Sequence, residues 1–80
     1  MSAFDAIRRA AQNLHLVEMT YEKVNGEVKD YTIEPYSLRD GKYLFGYDVN
    51  ECKIKKYVVV NIMSAEETDT EFSPRWDVEL

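Results

Sequence analysis

Aromatic and basic residues lie close together in the middle of this 80-residue sequence, and they are its first candidates for chemistry. Aromatic rings can stack on the face of a base or another ring ligand, and the cations of Lys and Arg neutralise phosphates. The combination is typical of a site for a nucleic acid or an anionic ligand. The same alternation arises wherever a strand has one face in water, in which case most of the rings belong to the core. The aromatic members are Tyr21, Tyr31, Tyr36, Tyr43, Phe45, Tyr47 and Tyr57, and the basic members are Arg39, Lys42, Lys53, Lys55 and Lys56.

Catalytic and metal-binding chemistry finds little support in the residue types. His15 is the only histidine, and its position between Leu14 and Leu16 at a helix-to-strand joint favours a structural role. Cys52 lies beside Lys53 without a second cysteine, so a surface thiol is expected. One Cys and one His cannot build a structural zinc site, and the three glycines do not form a phosphate-binding loop. We therefore expect a protein that is not an enzyme and that uses no cofactor or metal.

The charge of the chain is distributed unevenly. Residues 1–61 carry nine basic and nine acidic side chains, so the net charge of −5 lies entirely in residues 62–80. This acidic segment is interpreted as a solvated surface or, alternatively, as a segment that docks on a basic partner. From the sequence we expect neither a leader peptide nor a membrane span, and a single cysteine is typical of a reducing compartment. The expected location is therefore the cytoplasm.

The first predicted element is a helix over Ala3–Asn13. Ser2 and Asp5 resemble a capping box at its start, and apolar residues recur at helical spacing along it. The helix is expected to end near Asn13, a residue type that tolerates a left-handed backbone. The apolar stripe consists of Phe4, Ile7, Ala10, Ala11 and Leu14.

After the helix the hydrophobic period changes to two, which predicts strands. From residue 16 onward, Val17, Met19 and Tyr21 are expected to share one face of a strand. Asn25-Gly26 then predicts a tight hairpin turn of the mirror-image type, with positive φ at both residues.

The rest of the chain reads as further short strands and turns. Pro35 is expected to stop the return strand because it cannot donate to a sheet ladder, and Gly46 suggests a bulge or bend within its strand. Short antiparallel connections favour a small barrel or half-barrel, with the helix plugging one end. The predicted elements are strands over residues 28–33, 42–47, 54–62 and 75–80, turns at residues 39–41 and 48–51, and a polar stretch over residues 63–70 with one helical turn from Ser64.

Five segments, in their order and spacing, resemble a known family. They are Val17-Glu18-Met19-Thr20-Tyr21, Ile33-Glu34-Pro35-Tyr36-Ser37-Leu38, Gly41-Lys42-Tyr43-Leu44-Phe45-Gly46-Tyr47-Asp48, Lys55-Lys56-Tyr57-Val58-Val59-Val60-Asn61-Ile62 and Phe72-Ser73-Pro74-Arg75-Trp76-Asp77-Val78-Glu79-Leu80. Together they resemble the WYL domain, a small Sm-like barrel found in bacterial and phage regulators. The resemblance implies a mainly β, α+β fold with one N-terminal helix and a five-stranded Sm-like or Src-homology-3-type antiparallel barrel, with residues 1–80 as one domain.

The same resemblance implies a function. The family's barrel is a regulatory module proposed to sense ligands, nucleic acids and nucleotides among them, through basic residues. Lys42 stands where the family's name motif has Trp, Lys55 stands at the first position of the family pattern Arg-x-Phe-x-Leu-Asp-Arg-Ile, and Val60-Asn61 replaces Asp-Arg. We therefore expect a non-catalytic module that binds a small anionic ligand or single-stranded nucleic acid. The candidate ligand-binding residues are Lys55, Arg39 and Lys42 for charge, Tyr57 and Tyr43 for stacking, and Asn61 at the changed family position.

A second hypothesis is a protein-interaction module, phage-encoded, that associates with itself or docks on a host regulator. Residues 54–62 would form a strand that is apolar on both faces, with Tyr57 and Val59 inward and Val58 and Val60 outward, and such strands are usually covered on both sides. A second chain across a dimer or partner interface could cover the Val58 and Val60 face. The chain's own alternative cover is Trp76, Val78 and Leu80.

Overall fold

The computed structural model describes residues 3–80, and its first element is the predicted helix, α1 (Ala3–Asn13). Asp5 lies in the first turn, where a carboxylate interacts favourably with the positive end of the helix dipole. Ser2, the other member of the predicted capping box, lies outside the described residues. The helix ends at Asn13 as predicted, but the residue with left-handed backbone at this end is Leu14, with a φ of 57°. The buried face of the helix consists of Ala6, Ile7, Ala10 and Ala11.

The strands that follow are β1 (His15–Glu22), β2 (Val28–Arg39), β3 (Tyr43–Asp48), β4 (Lys53–Val58) and β5 (Ile62–Glu71), with a 3₁₀ helix (Val59–Asn61) between the last two. They form one antiparallel sheet in the order β4-β3-β2-β1-β5. The predicted helix followed by a five-stranded antiparallel sheet is confirmed. The predicted closure into a barrel is wrong within residues 3–80, because β4 and β5 are the two edges of the sheet and do not pair with each other.

The core lies between helix α1 and one side of the sheet, which we call the inner face. The predicted alternation in β1 is confirmed, since Val17, Met19 and Tyr21 are all buried there. The rings of Tyr21, Tyr31 and Tyr57 meet edge to face, with centroids 5.3–6.1 Å apart. This geometry is the favoured one for aromatic pairs. The remaining members of the core cluster are Ile7, Ala10, Ile33 and Leu44.

No helix within residues 3–80 combines the length and the apolar character that a membrane crossing needs.

Strand β5 is joined to the helix by one carboxylate. Glu67 accepts hydrogen bonds from Arg9 Nε at 2.9 Å and from Asn13 Nδ2 at 2.8 Å, and His15 Nδ1 lies 2.8 Å from its second oxygen. The hydrogen bonds from Asn13, Arg9 and His15 hold the pKa of Glu67 below its usual value. The only histidine of the sequence is therefore part of a contact that connects α1, β1 and β5.

Two turns differ from each other in the way their backbones reverse. The hairpin at Asn25-Gly26 is confirmed, but of these two residues only Gly26 has a positive φ, 87°, so the mirror-image geometry predicted there is wrong. That geometry occurs instead at Asp40 and Gly41, whose φ values are 57° and 65°, with Lys42 N–H donating to the Arg39 carbonyl at 2.9 Å. An Asp-Gly pair suits this turn as well as an Asn-Gly pair does.

Strand β2 does not stop at Pro35, contrary to the prediction, but continues to Arg39. The pairing register shifts between Pro35 and Ser37, opposite Gly46, so the predicted irregularity at Gly46 is accommodated by the partner strand. The shift leaves Tyr36 without a partner in β3, and the ladder between β2 and β1 ends at Ile33, so Pro35 lies where the ladders are interrupted and a sheet tolerates proline.

The predictions for the last third of the chain are wrong in three places. The strand predicted over residues 54–62 ends at Val58, because the 3₁₀ helix interrupts it. The polar stretch over residues 63–70, with its predicted helical turn at Ser64, is strand β5. Residues 75–80 form no strand, although the Glu79 N–H donates a hydrogen bond to the Tyr36 carbonyl at 2.7 Å.

Gly46 is required by close packing between β2 and β3. A Cβ at this position would lie 2.8 Å from Ile33 Cδ1 and 3.2 Å from the Glu34 carbonyl oxygen. The fully buried Ile33 side chain therefore occupies the space that any other residue would need.

We expect Gly46→Ala to destabilise the protein by about 1–3 kcal/mol, the typical cost of overpacking a core. The direction of the change in stability is informative. At an uncrowded position, Gly→Ala stabilises a protein by about 0.4–1 kcal/mol because alanine lowers the conformational entropy of the unfolded chain. Urea unfolding of Gly46→Ala, Ile33→Val and the double variant measures the coupling. Ile33→Val removes the crowding Cδ1 atom, so the alanine should cost less in that background. Strictly additive effects would show that the close approach is not the cause.

Candidate functional site

The sheet divides the predicted ligand-binding residues between its two faces. Cross-strand partners share a face, and Leu44 pairs with Tyr57 in the core, so Tyr57 and Lys55 belong to the inner face. Tyr43 pairs with Arg39 on the opposite side, which we call the outer face. Lys42 lies in the turn before β3, and Asn61 lies in the 3₁₀ helix. The structure therefore brings Arg39 and Tyr43 together and separates them from Lys55 and Tyr57.

Lys55 is engaged by two carboxylates at the end of the inner face. Its Nζ donates to Asp48 Oδ2 at 3.0 Å, contacts Glu51 and lies 5.1 Å from the centroid of the Tyr31 ring. Asp48 is only 2% exposed, and its Oδ1 accepts the backbone N–H groups of Asn50 at 2.9 Å and Glu51 at 3.1 Å. The buried carboxylate thus organises the turn between β3 and β4, and Lys55 neutralises it.

The titration of these groups follows from their contacts. Burial by itself would raise the pKa of Asp48, but the Lys55 ammonium and the two backbone N–H groups outweigh it and lower that pKa. Burial works against the charge of Lys55, and the hydrogen bonds to Glu51 and Asp48 outweigh it and raise the pKa of this ammonium. An incoming anion must therefore compete with two resident carboxylates for Lys55.

Tyr57 is placed for packing. The residue is 2% exposed, and its ring touches those of Tyr21 and Tyr31. Its hydroxyl is buried without a hydrogen-bond partner within residues 3–80, and burial raises the pKa of Tyr57 above its usual range. In this position the ring has no free face on which a ligand could stack.

The outer face of β2, β3 and β4 brings two cations and two rings together, and we call these four residues the outer-face cluster. The guanidinium of Arg39 lies 5.4 Å from the centroid of Phe45, and Lys56 Nζ lies 4.7 Å from that of Tyr43. Arg39 also pairs across strands with Tyr43, and Phe45 with Lys56. Each cation is therefore beside one ring and over the other, a geometry in which cation–π attraction contributes.

Two members of the outer-face cluster were missing from the predicted site. Phe45 follows Tyr43 by two residues in the same strand, so the period-two alternation was enough to place both rings on one face. Lys56 could not be chosen over Lys55 without the register between β3 and β4, because adjacent residues of a strand point to opposite faces.

The segment after β5 packs on the outer face next to this cluster. The Trp76 ring meets the rings of Tyr36 and Tyr47 at centroid distances of 5.3 and 6.1 Å, and Leu80 packs against the core. Val60, in contrast, remains 86% exposed, so the predicted cover by the chain's own C-terminal residues is incomplete. A shallow groove of about 200 Å³ lies between this segment and the strands, lined by Tyr36, Ser37, Arg39, Phe45, Ile54, Trp76, Asp77 and Glu79.

Tyr36 anchors that segment to the sheet. Its hydroxyl donates to Glu34 Oε1 at 2.5 Å and accepts the Arg75 backbone N–H at 2.9 Å. Arg75 in turn lies 3.3 Å from Glu34 Oε1 and 4.0 Å from the centroid of Tyr47. Burial is the main cause that raises the pKa of Tyr36 to about 12, so the hydroxyl keeps its proton at neutral pH.

Replacing Lys55 by Met should leave the buried Asp48 carboxylate without its cation. We expect a loss of stability on the order of 3 kcal/mol near neutral pH, as is typical when one partner of a buried ion pair is removed. Because the folded pKa of Asp48 is lowered, its ionisation stabilises the native state above the unfolded pKa of about 3.9, and this contribution is lost as the pH falls through the folded pKa. The penalty of Lys55→Met should therefore shrink in acid.

Urea unfolding at about pH 7 and about pH 3 measures this difference, since the two values bracket the ordinary pKa of Asp. Lys56→Met is the matched control, because it removes a neighbouring lysine that contacts no carboxylate in the ion pairs of residues 3–80. Adding Asp48→Asn to Lys55→Met should recover stability, because the amide oxygen can still accept the backbone N–H groups. A pH-independent penalty would contradict this account of the pair.

Comparison with known proteins agrees with this architecture. The model of a family described as the WYL domain matches residues 2–67. The fold is similar to that of Proteasome accessory factor B/C (PafBC) of Arthrobacter aurescens, with a TM-score of 0.84 and 23% sequence identity over 98% of this chain and 13% of that chain. The present chain thus spans a small part of that protein's length, and the similarity concerns the fold. No curated protein matches the chain by sequence. Because the family model covers most of the sequence, this chain belongs to the WYL domain family.

Proposed function

We propose that this WYL domain is a non-catalytic regulatory module whose outer-face cluster binds a ligand that combines negative charge with an aromatic ring. Nucleotides and single-stranded nucleic acids have this chemistry. The observation that carries the proposal is the arrangement of Arg39 and Lys56 around the rings of Tyr43 and Phe45. A base could stack on these rings while its phosphate reaches one of the cations.

The electrostatics of the two faces favour the outer one. Arg39, Lys42 and Lys56 take part in none of the ion pairs found within residues 3–80, whereas Lys55 is held by Asp48 and Glu51. When Lys or Arg side chains neutralise phosphates, counterions condensed on the nucleic acid are released, and that release drives binding. The overall charge of −5 opposes a general affinity for nucleic acid, so binding should be local and modest.

The relation of Arg39 to the groove indicates where the ligand would lie. Arg39 and Phe45 border the groove beneath Trp76, whose ring is half exposed. A chain of nucleotides could extend from the cluster along this groove, with Trp76 as a further stacking surface. Asp77 and Glu79 line the same groove and would repel a phosphate there, so the phosphates should point away from this segment, towards Lys56.

Fluorescence anisotropy with a labelled single-stranded oligonucleotide, measured over a range of salt, tests the charged part of the proposal. Each phosphate contact contributes about 0.7 to the slope of log affinity against log salt for single strands, so Arg39→Gln with Lys56→Gln should lower it by about 1.4. Lys29→Gln is the matched control, because Lys29 also lies over a tyrosine ring, 5.4 Å from the centroid of Tyr31, but outside the cluster.

Competition with unlabelled nucleotides then measures the size of the site. Competition by a mononucleotide at similar concentration would limit the site to one base, and competition by oligonucleotides alone would extend it along the groove. Absence of binding at low salt, or an equal effect of the Lys29→Gln control, would contradict the proposal.

Phe45→Leu tests the stacking part separately, because it keeps apolar bulk and removes the ring. Loss of one stacked base should weaken binding by about 1–3 kcal/mol, with little change in the salt slope. The same titration measures both quantities. Weaker binding together with a lowered salt slope would instead show that Phe45 acts by positioning Arg39 against a phosphate.

A further inference from the structure

Residues 72–80, the segment that packs on the outer face next to the cluster, form what we call the strap. Tyr36 holds the strap through both its ring and its hydroxyl. The ring meets that of Phe72 at a centroid distance of 5.8 Å and that of Trp76 at 5.3 Å, edge to face in both cases. The hydroxyl accepts the Arg75 N–H at 2.9 Å. One residue of β2 is therefore the anchor of the strap.

The backbone of Tyr36 takes part in the same attachment. The register between β2 and β3 shifts from Pro35 to Ser37, so Tyr36 has no partner in β3. Its carbonyl accepts the Glu79 N–H at 2.7 Å. A bulge leaves backbone groups outside the ladder. The irregularity that admits Pro35 therefore also supplies an attachment point for the strap.

The strap is nevertheless attached more weakly than the strands are. None of residues 72–80 belongs to a strand, and Phe72 alone among them is buried. Val78 and Leu80 are half-buried, and the remaining strap residues are exposed. Segments with few buried apolar contacts open locally at a lower free energy than the core does. Opening of the strap should therefore cost less than unfolding of the sheet.

The strap brings acidic side chains to the border of the cluster. Asp77 and Glu79 line the groove of about 200 Å³ together with Arg39 and Phe45, which are two members of the cluster. Carboxylates at this position attract the Arg39 guanidinium and lower the positive potential that a phosphate would meet. The strap thus competes with an anionic ligand for the same cation.

We propose that the strap is an autoinhibitory element of the outer-face cluster, an inference that rests on the proposed function of that cluster. In the closed position, Asp77 and Glu79 lower the affinity of the cluster for anions. When the strap opens, these carboxylates leave and Arg39 can meet a phosphate. A ligand that binds the open state more tightly shifts the population towards it, and its apparent affinity is reduced in proportion to the fraction of molecules that are open.

The charge of the strap is tested by Asp77→Asn combined with Glu79→Gln, in anisotropy titrations of the whole 80-residue chain with a single-stranded oligonucleotide. We expect binding about threefold to tenfold tighter at low salt, and a smaller gain at high salt, because exposed charges are screened. Glu18→Gln with Glu66→Gln is the matched control. It changes the net charge by the same amount, but these exposed acids pair across β1 and β5, outside the groove.

The attachment of the strap is tested separately by Tyr36→Phe, which removes the hydroxyl that binds Glu34 and the Arg75 N–H but keeps the ring. Trp76 is the only tryptophan of the sequence, so quenching of its fluorescence by acrylamide reports on the strap. We expect Tyr36→Phe to increase this quenching and to tighten oligonucleotide binding about threefold to tenfold, the usual effect of one lost hydrogen bond on such an equilibrium. Tyr57→Phe is the control, because it removes a buried hydroxyl from the inner face.

The wild-type chain provides the decisive comparison. Addition of unlabelled oligonucleotide should increase the acrylamide quenching of Trp76, because binding displaces the strap. Reduced or unchanged quenching would show that the ligand binds with the strap closed, which would overturn the autoinhibitory role and leave the proposed function of the cluster intact. Binding that neither strap variant strengthens beyond its control would overturn that role as well. Absence of oligonucleotide binding by the wild type and by every variant would instead contradict the proposed function, and the autoinhibitory role with it.

Discussion

The buried carboxylate of Asp48 is the interaction on which the arrangement of the site depends. It holds the backbone of the turn between β3 and β4 through two N–H groups, and these groups together with Lys55, 3.0 Å away, keep it ionised in the core. A buried charge without a partner costs several kcal/mol, so Lys55 is committed to the inner face. The pairing of Asp48 with Lys53 then sets the register of the whole hairpin.

That register decides which residues can meet a ligand. With Lys55 and Tyr57 directed inward, Lys56 is directed outward, next to Phe45 and over Tyr43. The residue at the family position therefore has an internal partner, and its neighbour in the sequence takes the exposed place. A shift by one residue would exchange these roles and would also expose Tyr57, which the core does not permit. The outer-face cluster is in this sense a consequence of the buried pair.

Much of the fold could be predicted from the sequence, and the failures share a physical cause. Helix α1, the alternation of β1 and the turn at Asp40-Gly41 depend on local periodicity or on backbone conformation, which neighbouring residues reveal. Strand β2 runs past Pro35 because the ladder with β1 ends at Ile33 and the register with β3 shifts directly after Pro35, and both facts require knowledge of the neighbouring strands. The candidate site was predictable only in part for the same reason. Arg39, Lys42 and Tyr43 follow from composition, whereas the choice between Lys55 and Lys56 follows from long-range pairing.

The polar, acidic character of β5 explains why the sequence pattern did not predict this strand. An edge strand has little apolar surface to bury, so Ile62–Glu71 lacks a strong hydrophobic alternation and reads as a polar linker. Its acidic residues nevertheless act in distinct ways. Glu67 turns towards the core side and connects the strand to Arg9 and Asn13, whereas Glu66 faces outward beside an open backbone edge. The charge that seemed to belong to a solvated segment is thus carried by a strand.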